Sequence, residues 1–331
     1  MRRLVLPILA VALLLLAPDA APLAASPAAP ASSAPTSSAP PSGTAASSAP
    51  AASAPAVPSA VERGHYVFLA AGCTDCHTRK GGPFLAGGRA LRTEFGTYYT
   101  PNITPDPTDG IGKWSERDFM RALRDGIGPD GTHYFPVFPY PSFTFMTDAD
   151  MRDLYAYLRT VPPVAEPDRP HEIAFPFNLR PLMLIWNRLF LKHGPFEPDP
   201  RASAQVNRGA YLVIALGHCA ECHTPRNRLG NLDLDDWLAG TARGPEGGPE
   251  GGIVPNITPD PATGIGKWSV KDIEYLLDTG MKPDGDDVGD GMADVVDLGT
   301  SKLTASDRAA IAAYLKSVPP IRHTVRKAAG G

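Results

Sequence analysis

The chain repeats itself. Arg63-Gly64-His65-Tyr66 returns as Arg208-Gly209-Ala210-Tyr211, and Leu85-Ala86-Gly87-Gly88 is echoed by Leu238-Ala239-Gly240. Pro101-Asn102-Ile103-Thr104-Pro105-Asp106-Pro107 returns whole from Pro255 to Pro261, and Gly110-Ile111-Gly112-Lys113-Trp114-Ser115 from Gly264 to Ser269. Ala156-Tyr157-Leu158 and Val161-Pro162-Pro163 match Ala313-Tyr314-Leu315 and Val318-Pro319-Pro320. The order is the same in both stretches. They read as two copies of one folding unit, so the fold has to solve one packing problem twice.

All four cysteines fall in two copies of a second pattern, Cys73-Thr74-Asp75-Cys76-His77 and Cys219-Ala220-Glu221-Cys222-His223. Cys-x-x-Cys-His is the attachment pattern for c-type haem. The thiols of Cys73, Cys76, Cys219 and Cys222 add to the vinyl groups of the ring, and His77 and His223 reach the iron as proximal ligands. A zinc site would have to join pairs more than a hundred residues apart and would not require a His after each. A thioredoxin-like dithiol needs a βαβ setting that this sequence lacks. The expectation is two covalently bound haem c, one per repeat.

The punctuation predicts helices. One runs from about Val61 to Ala71 and its counterpart from about Ala204 to Ala215, each leading into its cysteine motif. Ser115 and Ser269 stand as N-caps with Asp118 and Asp272 in the capping-box position, ahead of helices over Glu116–Asp125 and Val270–Asp278 that stop at Gly126 and Gly280. Thr147 and Thr304 cap final helices over Asp148–Thr160 and Ala305–Ser317, which the following proline pairs end. The expected fold class is all-α: two tandem domains, 61–165 and 201–325, each small and built around its haem. A linker, 166–200, joins them.

Net charge is −4, which does not imply nucleic acid. Met1-Arg2-Arg3, the apolar run Leu4 to Ala17 and the small residues after it read as a signal peptide over 1–25. The run is shorter than the ~20 residues that span a bilayer; a retained anchor is the alternative. Residues 26–60 are almost all Ala, Ser and Pro and read as a disordered tether. Export to the bacterial periplasm is expected. The stretch Phe175–Phe190 is apolar and aromatic, which suggests burial between the domains, with membrane-surface or partner contact as the alternative. Arg79, Lys80, Arg89, Arg92, Arg226 and Arg228 follow the cysteine motifs and are candidates for steering an acidic partner.

With both haem motifs, both Asn-Ile-Thr-Pro-Asp-Pro stretches and both Gly-Ile-Gly-Lys-Trp-Ser stretches in hand, residues 61–322 resemble two-haem members of the class I c-type cytochrome superfamily. More narrowly, they resemble the cytochrome subunits of periplasmic membrane-associated alcohol, gluconate and aldehyde dehydrogenases. The resemblance implies a Met as second axial ligand, on a loop before the last helix; His/Met ligation raises the potential. In the second copy Met292 fits, in the polar loop Gly289 to Asp294, with Met281 as fallback. In the first copy the relatives carry Met in a Tyr-Pro-x-Met-Pro-Tyr context, and Phe138 stands there instead. Three possibilities stay open for that iron: Met146, although the repeat sets it opposite Leu303; His133, which would lower the potential; or five-coordination behind Phe138. Met120, Met151 and His65 read as core or surface groups. Asn102 with Thr104, and Asn256 with Thr258, are candidates for the haem propionates. Trp114 and Trp268 are candidates for haem or core packing, and Pro83 for the carbonyl that orients His77.

The resemblance implies an electron carrier between a dehydrogenase and a cytochrome, quinone or oxidase acceptor, with no catalytic residue of its own. The rival class is a two-haem enzyme, a peroxidase or a thiosulfate oxidiser, with its chemistry at the unusual first haem. A haem-based sensor is a third class, without an evident output domain.

Overall fold

The computed structural model describes residues 57–242 and 252–325. The expected signal segment and nearly all of the tether lie outside them. Helix α1 (Ala60–Ala70) begins at a reciprocal capping box between Ser59 and Glu62 and buries Val67 and Phe68. A left-handed Gly72 then turns the chain into α2 (Cys73–His77). Strands β1 (Ala90–Thr93) and β2 (Gly96–Tyr99) form a hairpin with Ala90 opposite Tyr99. Helix α3 (Glu116–Asp125) is boxed by Ser115 and Asp118 and ended by Gly126. After α4 (Tyr140–Phe143) comes α5 (Asp148–Leu158), capped by Thr147. Strand β3 (Glu172–Ile173) pairs antiparallel with β2, and α6 (Pro181–Phe190) leads out of this half.

The second half runs through the same helices. Helix α7 (Ala204–Tyr211) continues into one wide π turn over Leu212–Leu216, and α8 (Ala220–His223) carries the second cysteine motif. Helices α9 (Val270–Thr279), α10 (Asp290–Leu298) and α11 (Ala305–Ser317) follow. Ser269 and Asp272 form the capping box of α9, and Thr304 caps α11, as the repeat predicts.

In each half the first helix crosses the last at a glycine. A Cβ on Gly64 would lie 1.8 Å from the Asp153 carbonyl oxygen, and one on Gly209 would lie 1.9 Å from that of Ala310. No larger residue fits between these backbones. The arginine before each glycine reinforces the crossing: Arg63 bonds Asp153 at 2.6 Å, and Arg208 bonds Asp307 at 2.9 Å.

The halves exchange the same contact in both directions. The Tyr66 hydroxyl donates to Asp307 at 2.7 Å and accepts from the Thr304 amide at 3.1 Å, which docks α1 on the capped start of α11. The Tyr211 hydroxyl donates to Asp150 and accepts from the Thr147 amide at 3.1 Å, docking α7 on the start of α5. This self-complementary exchange is the pattern of a twofold interface, here made within one chain. One hydrophobic cluster runs through both halves, from Val67 and Phe68 to Leu212, Leu216 and Ile311.

Three expectations are corrected. The all-α reading misses the three-stranded sheet, which forms because Gly96 to Tyr99 pairs on both edges and Tyr99 bonds Glu172 at 2.9 Å. The boundary at 165 falls inside the first half, since the Asn102 amide bonds Asp168 at 2.7 Å and β3 completes the sheet. The apolar stretch Phe175–Phe190 is not buried between domains. Trp186 is enclosed and donates to the Leu229 carbonyl at 2.8 Å, while Leu184, Ile185 and Leu189 are more than half exposed. No helix among the described residues is long and apolar enough to cross a membrane.

Gly64→Ala forces α1 and α5 apart and should cost about 1–3 kcal/mol, read as a lower denaturation midpoint of the holoprotein. Burial pushes the Asp307 carboxyl up, but the bonds from Arg208 and Tyr66 outweigh it and hold the group below its ordinary value. Its stabilisation is complete above the unfolded carboxylate value near 4 and is lost as pH falls through the lower folded value. Asp307→Asn should therefore lower the melting temperature at neutral pH and make it less steep with pH at the acid end, in a series of thermal melts.

Candidate functional site

Each Cys-x-x-Cys-His motif forms one helical turn, α2 or α8, entered through a positive-φ residue: Gly72 at 61° and His218 at 37°. The left-handed region suits glycine and is strained for histidine. Tight entry folds the turn back so that both sulfurs and the His belong to one short segment. No disulfide joins any of the four cysteines. Burial, with Cys76 adding to it, pushes Cys73 up to about 12; burial pushes Cys219 up to about 11 and Cys222 up to about 12. Such thiols carry almost no thiolate at neutral pH, unlike the activated cysteines of dithiol exchange.

The imidazoles are set identically. Nδ1 of His77 lies 2.8 Å from the Pro101 carbonyl oxygen, and Nδ1 of His223 lies 2.8 Å from that of Pro255. Burial pushes both rings below their ordinary value, more strongly than the carbonyl bond pulls them back. A neutral ring that donates from Nδ1 keeps its lone pair on Nε2, as an axial iron ligand must. The orienting carbonyl is thus Pro101 rather than the expected Pro83. The repeat held the clue: Pro101 and Pro255 are equivalent prolines, whereas Asp236 stands in the place of Pro83.

The loop that supplies this carbonyl is clamped. The side-chain carbonyl of Asn102 accepts from the Thr104 amide at 2.9 Å and hydroxyl at 2.7 Å, and its amide donates to the Val164 carbonyl at 2.8 Å. Val164 N in turn donates to the Thr104 hydroxyl at 3.1 Å. Asn256 and Thr258 repeat the arrangement on Ile321, with Asn256 donating to its carbonyl at 2.7 Å. The side-chain donors of both pairs, expected at the haem propionates, are taken up within the loop and by the segment after each last helix. Trp114 and Trp268 are half-buried against the hydrophobic cluster, and their backbone carbonyls accept from Tyr155 and Lys316.

The two turns meet across the contact between halves. Glu221, buried, accepts from Ser142 of α4 at 2.9 Å and pairs with Arg226. Asp75, at the same place in the first motif, pairs with Arg89. His218 lies edge-on to Phe143 with ring centroids 5.5 Å apart and against the Ala71 carbonyl, and the Cys222 thiol is close enough to Cys76 to be raised by it. Arg79, Arg89 and Arg226, expected as steering charges, are engaged with Glu166, Asp75 and Glu221. Lys80, Arg92 and Arg228 are exposed.

Among the methionines, Met292 lies in the first turn of α10, half-buried and packed on the cluster, and not in a loop as expected. Its amide bonds the Gly289 carbonyl at 3.2 Å, which starts the helix earlier than the polar sequence suggests. Met281 is exposed at the surface beside Tyr275. Met146 is wholly enclosed just ahead of the Thr147 cap. Met151 is buried in α5, and His65 is exposed on α1 against Tyr157. The cross-half links through Tyr66, Tyr211, Ser142 and Glu221 were missed by sequence reasoning. Only the recurrence of Tyr66 as Tyr211 hinted at them.

Two thiols and one oriented imidazole per turn, with each ring tied through Nδ1, fit a covalently attached haem. The family model described as cytochrome c matches residues 61–162. A diheme cytochrome c-type protein of Cereibacter sphaeroides is 46% identical over 265 residues, which cover 78% of this chain and 86% of that protein. The cytochrome c subunit of the quinone alcohol dehydrogenase of Gluconacetobacter polyoxogenes is 41% identical over 79% of this chain. The chain spans about half the length, 56%, of that alcohol dehydrogenase subunit. The gluconate 2-dehydrogenase cytochrome c subunit of Pantoea cypripedii is 38% identical over 78% of this chain and 59% of its own length. The chain belongs to the cytochrome c family, and the group it carries is covalently bound haem c.

Asn256→Ala leaves Thr258 and the Ile321 carbonyl without their partner and should cost about 1–3 kcal/mol in a thermal melt, with haem content unchanged. A propionate ligand would instead shift a midpoint potential.

Proposed function

We propose that this protein is a two-haem electron carrier of the periplasm, which passes electrons from a dehydrogenase to a respiratory acceptor: a cytochrome, a quinone or an oxidase. The two halves act as tandem cytochrome c domains, each with one haem held through Cys73 and Cys76 or Cys219 and Cys222. His77 and His223 are the proximal ligands, and Met292 closes the second iron. Haem c supplies a one-electron iron couple. The chain supplies orientation, through the Pro101 and Pro255 carbonyls, and ligands that set the potential.

The observation that carries this reading is the meeting of α2 and α8. The Ser142 to Glu221 bond ties α8 to α4 of the first half, and His218 sits against the Ala71 carbonyl just ahead of α2, which brings the two attachment turns together so that an electron crosses between haems without leaving the protein. The alcohol dehydrogenase subunit and the fructose dehydrogenase cytochrome subunit of Gluconobacter japonicus, 40% identical over 78% of this chain, support a dehydrogenase as donor.

Pyridine haemochrome assay of the purified protein should give two haems per chain, and one after Cys219→Ser with Cys222→Ser. Mixed in the oxidised form with membranes that contain a quinone alcohol, fructose or gluconate dehydrogenase and its substrate, the protein should show reduced haem bands within the assay. One haem in the wild type would sink the two-domain reading; no reduction by any of these donors would sink the carrier reading.

A further inference from the structure

The two halves can be set in register, bond by bond, through the loop after their third helix. Gly126 and Gly280 end α3 and α9. The Gly128 amide donates to the Thr132 carbonyl at 2.8 Å, and Lys282 to Asp286 at 2.8 Å. Tyr134 donates to Gly126 at 2.7 Å, and Val288 to Gly280 at 2.8 Å. Ile127 bridges His133, and Met281 bridges Asp287. Phe138 donates to Phe135 at 3.1 Å, and Met292 to Gly289 at 3.2 Å. The offset is the same throughout, so Phe138 occupies the place of Met292. Both side chains are half-buried against the hydrophobic cluster.

A phenyl ring has no lone pair to give to iron. The two buried methionines that follow in this half are held in packing roles. The Met146 amide bonds the Phe143 carbonyl at 2.9 Å, as Leu303 bonds Thr300 at 3.2 Å, so Met146 has the packing place of a leucine. Met151 is fully buried within α5. His133 corresponds to Asp287, at the base of the loop, where its carbonyl accepts from Arg180 at 2.9 Å; its Nδ1 is buried without a partner. Around Phe138 stand Tyr134, Phe143 and Tyr140, with ring centroids at 5.8, 5.8 and 6.2 Å.

We propose that the first haem has no protein ligand opposite His77, and that the site behind Phe138 admits a small uncharged diatomic ligand such as carbon monoxide. This rests on the reading of Met292 as the axial ligand of the second haem. The aromatic wall suits a small neutral molecule, whose transfer out of water carries no charge-desolvation cost. Binding forms one dative bond from the carbon lone pair to ferrous iron; no bond breaks and no electron leaves the protein.

The test is titration of the dithionite-reduced holoprotein with carbon monoxide, followed in the visible spectrum, with haem counted by pyridine haemochrome in every variant. The wild type should take up about one equivalent per chain. Phe138→Met should abolish the uptake and give the oxidised protein an additional methionine–iron charge-transfer band. Met292→Ala should raise the uptake to about two equivalents, which shows that an open iron is detected when one exists. If the wild type takes up none while Met292→Ala takes up one, an internal ligand closes the first iron and the proposal falls. It also falls if Phe138→Met leaves the wild-type uptake unchanged. If Met292→Ala adds nothing but Phe138→Met still abolishes uptake, the reading of Met292 fails and the proposal stands.

Discussion

Everything around each attachment turn hangs from one bond, that between a His Nδ1 and a proline carbonyl. His77 on Pro101, and His223 on Pro255, fix the face of the imidazole and so the direction in which Nε2 points. The carbonyl is only as steady as its loop, and the next residue in the chain steadies it. Asn102 and Asn256 clamp that loop to the segment after the last helix, and the last helix is locked to the first at Gly64 or Gly209. Ligand orientation is therefore set by the whole half. A neutral, buried imidazole also follows from this arrangement, because desolvation disfavours the charged ring more strongly than the Nδ1–H bond to the carbonyl favours it.

Duplication gives this unit a partner of its own shape. The Tyr66 and Tyr211 hydroxyls each take up the free amide and the acidic residue at a helix start in the other half. Helix N-termini present unpaired N–H groups, and the capping residues leave donors and acceptors in fixed places. A surface that fits its own copy needs no new chemistry to dimerise, and fusing the copies removes the entropy cost of association. The same contact sets α2 beside α8, so the interface that stabilises the pair also spaces the two attachment turns. The halves have diverged where symmetry is not needed for stability. Gly72 is answered by His218, the sheet belongs to the first half, and Phe138 answers Met292.

The parts whose cause is local were legible in the chain alone. Cys-x-x-Cys-His needs only neighbouring residues to define a thiol–thiol–imidazole turn, and Ser115, Thr147, Ser269 and Thr304 cap their helices with donors three residues away. The repeat established which helices and caps are equivalent, and the resemblance to two-haem cytochromes c pointed at Phe138 before any geometry was known. Folding settled what depends on partners distant in the chain. Asn102 and Asn256 looked available for a haem propionate because the sequence does not show Val164 and Ile321 arriving beside them. Met292 looked like a loop residue because a polar sequence hides a helix that packs through a few side chains. The Tyr66 and Tyr211 exchange, the glycine crossings and the sheet edge taken up by β3 are all contacts between segments far apart in sequence. Local pattern carries no information on which surfaces meet, and packing alone selects them.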